Sequence, residues 1–352
     1  MRVGYFPYGA ANPYQTLFYE AVAAAGVDVI ALPVRTLFPL RDIEQVDIVH
    51  LDWLHPLYAS RRGRLAGFIK ASSAMHHLRG ASRRQQPRLV HTVHNILTHD
   101  SYLSPSSERR VVARFLQAMD SLIGFSSPVF DALDREFDLP AQQSKHVVPH
   151  GHYIDSYTKP PEQSACRTQL GISPDVPVVL FFGGLRENKG ILDLLQVFSA
   201  VHQKTGAELI VAGAGATPAV SQALSDADAS VTVIQRHVQD DEVPSLFGAA
   251  DIVALPFRSI LNSGSAILAA SMGRCVVMPD IASLHANLEP SAIELYSPNS
   301  PSALADALTR MLGRPRRHLL ELGKQARAAA QENLCWSAIG RGMVQIYADL
   351  MP

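Results

Sequence analysis

Cysteine is scarce: Cys166, Cys275 and Cys335 are the only three in 352 residues, and they stand far apart. No pair has the spacing of a zinc ribbon or a dithiol redox motif. This excludes a disulfide-stapled fold and reads as reduced thiols in a cytosolic protein. Net charge is equally scarce. With 31 Lys and Arg against 32 Asp and Glu, no global field draws the chain to nucleic acid. No apolar run is long enough to span a bilayer, so any membrane contact is expected to be peripheral. The N-terminus, Met1-Arg-Val-Gly-Tyr-Phe6, reads as a first strand rather than a signal peptide. Low-complexity segments and solenoid-period repeats are missing as well.

One absence is local. From Trp53 through His99 there is no Asp or Glu, while Arg61, Arg62, Arg64, Lys70, Arg79, Arg83, Arg84 and Arg88 accumulate. Leu65, Phe68, Ile69, Met75 and Leu78 are interleaved with them. Most charge-rich helices are simply solvated. The one-sidedness over this length favours instead a basic amphipathic segment, residues 61–88, that lies on an anionic membrane surface.

What is present is alternation. The length suits two domains better than one. Short apolar runs that read as strands begin at Val3, Val27, Ile48, Leu89, Leu122 and His146, and a second series begins at Val178, Leu209, Val231, Ile252, Val276 and Ile293. Helical patterns separate them, so the expected class is α/β: parallel sheets covered by helices on both faces. The proline-rich stretch Tyr157-Thr-Lys-Pro-Pro-Glu-Gln-Ser164 is the best linker. The expected division is residues 1–155 and 165–335, two doubly wound Rossmann-like domains facing a cleft, with ligands beyond the carboxyl ends of the strands. Residues 336–352 contain a last helix from Trp336 to Leu350.

The most informative motif is Phe182-Gly-Gly-Leu-Arg-Glu-Asn-Lys-Gly190, between the run Val178–Phe182 and a helical pattern from Ile191. Gly183 and Gly184 let the backbone approach a ligand. Arg186 and Lys189 lie three apart, so both heads reach one site, and with a helix N-terminus they suit a diphosphate. A second turn, Asn262-Ser-Gly-Ser265, leads into Ala266-Ile-Leu-Ala-Ala-Ser-Met272. Ser263 and Ser265 are candidate caps, and Asn262, Ser263, Gly264 and Ser265 are expected to face the same phosphates.

Thr92-Val-His-Asn-Ile-Leu-Thr-His-Asp100 follows the Leu89 strand. His94, His99 and Asp100 are candidates for a base that takes a proton from an acceptor hydroxyl, and Asp52 is the outside candidate. His91, His94 and His99 lack a carboxylate partner in a recognisable metal motif, so no metal site is expected. Pro149-His-Gly-His-Tyr153 reads as a hinge loop, and Asn12 and Tyr14 follow the first strand at the rim of the expected cleft.

Together these motifs resemble those of bacterial GT-B glycosyltransferases of the family 1/family 4-like group. The resemblance rests on Asn12-Pro-Tyr14, Val93-His-Asn95 with His99-Asp100, Pro149-His-Gly151, Phe182-Gly-Gly-Leu-Arg186 with Lys189-Gly190, and Leu261-Asn-Ser-Gly-Ser265. Within the group the chain looks like the exopolysaccharide GDP-mannose:glycolipid β-mannosyltransferases. The likeness implies a nucleotide-diphosphate sugar as donor substrate, no cofactor and no metal. It implies a glycan or polyprenyl-diphosphate-linked acceptor, a last helix that crosses back to the first domain, and a place in the cytoplasm or on the inner face of the cell membrane. Many retaining members carry two glutamates eight positions apart in the second turn, where this chain has Ile260 and Leu268. That departure points to inversion. Alternatives are a UDP-sugar-dependent transferase, a nucleotide-sugar 2-epimerase, and a non-catalytic nucleotide-sugar-binding subunit.

Overall fold

The computed structural model describes residues 1–9, 12–34, 40, 43–60, 62–84, 86–98, 103–258 and 260–351, apart from the side chain of residue 82. The chain forms two compact units, Met1–Gly151 with Trp336–Pro352, and His152–Cys335. In chain order the first unit contributes β1 (Arg2–Phe6), α1 (Pro13–Ala24), β2 (Asp28–Ala31), β3 (Ile48–Leu51), α2 (Arg64–Arg84), β4 (Arg88–Thr92), α3 (Pro105–Leu116), β5 (Ser121–Gly124), α4 (Ser127–Glu136) and β6 (Ser144–Val147). The second unit contributes α5 (Gln163–Gln169), β7 (Val178–Phe182), α6 (Ile191–Thr205), β8 (Glu208–Gly213), α7 (Pro218–Ser225), β9 (Val231–Gln235), α8 (Val243–Ala249) and β10 (Ile252–Ala254). It continues with α9 (Gly264–Ser271), β11 (Cys275–Pro279), α10 (Ala282–His285), β12 (Ile293–Tyr296), α11 (Pro301–Leu312) and α12 (Arg316–Asn333). The chain then rejoins the first unit as α13 (Trp336–Leu350).

The twelve described strands overlap the expected runs, β6 only at His146 and Val147. Strands covered on both faces lose the alternation of a half-exposed sheet, which is why runs such as Val178–Phe182 are apolar almost throughout. Helix starts are marked chemically. Asn12, Ser104, Thr217 and Ser300 each accept a backbone N–H of the first turn and each precedes a proline. The side chain satisfies an orphan donor, and the proline occupies the position where no donor is needed.

Each sheet is parallel and six-stranded. The orders are β2-β1-β3-β4-β5-β6 and β12-β11-β10-β7-β8-β9. Winding reverses between β1 and β3 in the first sheet and between β7 and β10 in the second. At such a switch point the connections leave in opposite directions and open a crevice at the carboxyl ends of the strands.

The first unit's core joins Val3, Tyr5, Phe18, Val22, Ile48, Val90 and Ile123 to Ile339, Met343 and Tyr347 of α13. The α13–α1 approach is close: a Cβ on Gly340 would lie 2.3 Å from the Ala21 carbonyl oxygen. In the second unit a buried ion pair fastens α5 to the sheet. Arg167 bonds Asp251 at 2.7 Å, and the same carboxylate accepts the Val178 amide at 2.7 Å and faces Arg316 at 3.1 Å.

Candidate functional site

In the second unit the two turns singled out in the sequence meet at the switch point, one following β7 and the other β10. Leaving β7, the Gly183 amide bonds the Ala212 carbonyl and the Leu185 amide bonds that of Ala214, which ties the turn to the end of β8. Gly183 has φ +137°, a conformation for glycine, and a Cβ there would sit 3.3 Å from Ser265 Oγ at the start of α9. The spacing of Arg186 and Lys189 works through a 3-10 turn, Glu187–Lys189, rather than through α6 itself. Gly190, φ +73°, closes that turn against the loop after β10: a Cβ would lie 1.6 Å from the Pro256 carbonyl oxygen. The last glycine of the motif therefore serves backbone packing. The Arg258 amide bonds the Asn188 carbonyl at 3.0 Å, and its guanidinium pairs with Asp193 at 2.7 Å, completing the clamp.

Lys189 extends over the Phe257 ring, its Nζ 4.7 Å from the centroid. It forms no ion pair among the described residues. Burial, with a smaller contribution from the Arg186 guanidinium, pushes its ammonium down to about 8. A cation destabilised in this way is poised for an anion. Arg186 and Gly184 are exposed, and Asn262 is half-buried just before the cap. Ser263 caps α9, its Oγ accepting the Ala266 amide at 3.1 Å. Ser265 lies inside the first turn and is not a cap. Gly264 and Ser265 thus present amides that no helical carbonyl can reach, at the positive end of the helix dipole.

The first unit gathers a different set at its own carboxyl edge. Adjacent pairing of β3 and β4, with Leu51 opposite His91, brings Asp52 and His94 side by side. Asp52 is fully buried. One carboxylate oxygen accepts from Gln15 Nε2 at 2.6 Å and Tyr19 OH at 2.8 Å. The other has no hydrogen-bond partner among the described residues and faces His94 Nε2 at 3.7 Å and His50 Nε2 at 3.9 Å. Burial alone would raise this carboxyl. The His94 and His50 imidazoles and the Gln15 amide outweigh it and hold Asp52 below its ordinary value.

His94 is 7% exposed. Its ring stacks on Trp53 at 4.3 Å and meets Tyr14 and Phe125 edge-on, both at 5.1 Å. His50 bonds Thr92 Oγ1 at 2.7 Å and the Tyr347 hydroxyl, which lies 3.0 Å from that of Tyr5. Burial pushes His50 down to about 4 and His91 to about 3, so both are neutral near pH 7. His91 is spent on the Leu51 carbonyl at 2.7 Å. The cavity among Asp52, Trp53, His91 and His94 holds about 20 Å³, room for a water but not for a sugar ring.

Of the three expected base candidates, His94 lies in this cluster, while His99 and Asp100 lie outside the described residues. Asp52, the outside base candidate of the sequence, is fully buried and bonded by Gln15 and Tyr19. Its place beside His94 was not assigned from the sequence. The signal was a His-x-Asp at the end of one strand and a His beyond the end of another, and it becomes legible only once the two strands are known to be neighbours. His150 is buried beside Tyr14 at 4.8 Å and Trp336 at 6.3 Å. Burial pushes it down to about 4. Among the described residues no group of three or more His, Cys, Asp or Glu is arranged to hold a metal ion.

The second unit thus sets two cations and a capped helix N-terminus at the switch point of a parallel sheet, chemistry that suits an anion. Residues 176–314, within the second unit, match the family described as "Glycosyl transferases group 1". The chain is similar to the GDP-mannose:glycolipid 4-beta-D-mannosyltransferase of Xanthomonas campestris pv. campestris, 24% identical over 313 residues that cover 86% of this chain and 80% of that protein. Among solved structures it is similar to the sucrose-phosphate synthase of Thermosynechococcus elongatus (TM-score 0.74, 20% identity, 99% of each chain). It is likewise similar to HepE of Anabaena in complex with UDP-glucose (TM-score 0.74, 16% identity, 99% of each chain). The fold shared with these solved structures is GT-B.

Proposed function

We propose that the chain is an inverting, metal-independent hexosyltransferase that moves mannose from GDP-mannose, with a β-linkage, to a glycan or polyprenyl-diphosphate-linked acceptor in polysaccharide assembly. The observation that carries the reading is the meeting of the β7 and β10 turns: Gly183 abuts Ser265 at the start of α9, and Lys189, on the same turn as Arg186, reaches over Phe257. A sugar-diphosphate donor needs its leaving group stabilised as charge develops on the β-phosphate. Fixed cations and N–H groups in a partly desolvated crevice do so without reorganisation. Gly183 and Gly184 give the backbone access, and Asn262, Ser263, Gly264 and Ser265 form the opposite wall.

For the acceptor, His94 is the base. Asp52, held ionised and anchored by Gln15 and Tyr19, orients the imidazole and stabilises the imidazolium once the proton is taken, by the nitrogen not turned to Asp52. His99 and Asp100 remain candidates for the same proton. The hydroxyl, so activated, attacks the anomeric carbon from the face opposite the diphosphate, which inverts an α-donor to a β-product. Ile260 and Leu268, in place of a glutamate pair, are consistent with this course. Mannose and GDP rest on the similarity to the Xanthomonas protein. A UDP-sugar is the competing donor, favoured by the similarity to HepE with UDP-glucose. The enzyme would work at the inner face of the cell membrane, touching anionic lipid through residues 61–88.

Thermal unfolding against GDP-, UDP- and ADP-sugars tests the donor, since a ligand of the folded state alone raises apparent stability. The largest shift is expected with GDP-mannose. A larger shift with a UDP-sugar would replace the donor assignment, and no shift with any of them would remove the catalytic reading.

A further inference from the structure

The segment without acidic residues does not form a plain surface helix. α2 packs its small residues, Ala71, Ala74 and Ala81, with Leu78, into the first unit. Its other side forms one wall of a groove of about 700 Å³, whose second wall is α3. The two ends of this groove differ. Toward the start of α2, Leu65, Phe68 and Ile69 are 75%, 41% and 50% exposed. Toward its end, Arg79 and Arg83 line the groove opposite Arg110 and Arg114 of α3, above a floor that includes Val111 and Phe115. Phe68 and Arg83 are fifteen residues apart, roughly 22 Å along the helix. No acidic residue lines the groove among the described residues, and none of Arg79, Arg83, Arg110 and Arg114 has a carboxylate partner there. By contrast Arg84, at the margin, pairs with Glu44 at 2.9 Å.

Four guanidiniums therefore line one groove without a counter-charge among the described residues. An anion bearing several oxygens suits such forks of N–H donors. The apolar end excludes a purely ionic ligand, because three large exposed side chains beside the groove gain only from a hydrocarbon partner. We propose that the α2–α3 groove is a docking site for an anionic phospholipid of a bilayer, with the headgroup phosphate among Arg79, Arg83, Arg110 and Arg114 and an acyl chain on Leu65, Phe68 and Ile69. This assigns a location to the membrane contact in the proposed function. It does not rest on the transfer chemistry, which belongs to other residues.

The test is flotation with phosphatidylglycerol and phosphatidylcholine vesicles at low and high salt. Wild type is expected to float with phosphatidylglycerol and not with phosphatidylcholine. Changing Arg79, Arg83, Arg110 and Arg114 to Gln removes four cations, each worth roughly fivefold near a charged surface, so partitioning should fall more than about 100-fold. A control with Lys204, Lys324, Arg317 and Arg341 changed to Gln alters net charge equally and should float like wild type. Leu65→Ser with Phe68→Ser and Ile69→Ser should lower the binding that survives high salt. Nucleotide-sugar binding and the unfolding temperature should hold in the arginine variant, which separates a lost lipid site from a lost fold or donor site. Equal flotation of the arginine variant and wild type would overturn the assignment. So would equal losses in the control variant, or full displacement from vesicles by micromolar inorganic diphosphate, which would make the groove a site for a soluble anion.

Discussion

Lys189 offers a test of the donor site that depends on one proton. Its ammonium sits at about 8 in the free protein against an ordinary 10.5, because it is held in a partly buried position beside Arg186. A diphosphate contacting it favours the charged form and returns the value to the ordinary range or above. The sign follows: with the free-state value depressed, binding is strongest where Lys189 is already protonated, below pH 8, and weakens as pH rises through 8, because each complex then takes up a proton. With these two values, affinity for a nucleotide sugar should be about tenfold lower at pH 9 than at pH 7, and uptake should approach about 0.9 proton per complex at pH 9 against about 0.1 at pH 7. The phosphates of a sugar diphosphate diester do not titrate in this window. Titration calorimetry in buffers of different ionisation enthalpy measures both quantities. Lys189→Arg keeps the charge at every pH and should flatten the curve, which also removes any contribution from the base. A pH-independent wild-type affinity with no proton uptake, or a Lys189→Arg variant with the wild-type slope, would refute the placement of Lys189 on the diphosphate.

Other outcomes follow from the same geometry. Arg186→Ala and Lys189→Ala should each weaken nucleotide-diphosphate binding by about 1.5–3 kcal/mol and leave nucleoside monophosphate affinity nearly unchanged; equal losses for both ligands in calorimetry would contradict the assigned contacts. Asp52→Asn should lower kcat by roughly 10²–10⁴ with little change in donor affinity and with an altered acidic limb of the pH–rate profile, whereas an unchanged rate would remove the His94–Asp52 pair from the chemistry. Transfer should persist in EDTA, because Arg186 and Lys189 already supply charge to the leaving group; loss restored by magnesium or manganese would show otherwise. Arg167→Ala leaves Asp251 buried and short of its main partner, and should destabilise the second unit by about 3–5 kcal/mol in chemical denaturation.

The strand series was readable because a parallel sheet buried on both faces writes itself as apolar runs. The weakest match is β6, expected from His146 and found at Ser144–Val147. It is an edge strand with Val147 half exposed, so its pattern is diluted. The two glycine turns were readable as strand-to-helix turns because their glycines and caps follow apolar runs. That the two turns touch depends on β7 and β10 being neighbours, which chain order conceals. The same concealment hid Asp52 beside His94, Tyr347 on His50 from nearly three hundred residues away, and Arg110 and Arg114 facing α2. Gly190 carried no purpose in the sequence, and only the Pro256 carbonyl shows why a side chain is excluded.

The return of α13 to the first unit has a consequence for synthesis. A ribosome delivers β1 to β6 first, yet the core they build lacks Ile339, Met343 and Tyr347 until the last turns of α13 emerge. His50 and Tyr5 would wait throughout with polar atoms facing a gap. The second unit, contiguous from His152 to Cys335, meets no such delay. The usual vectorial order, N-terminal domain first, is thus reversed: the domain made second finishes first, and the domain made first stays open until α13 has emerged. Stalled chains ending near residue 335 should therefore carry a protease-resistant second unit behind a protease-sensitive first one.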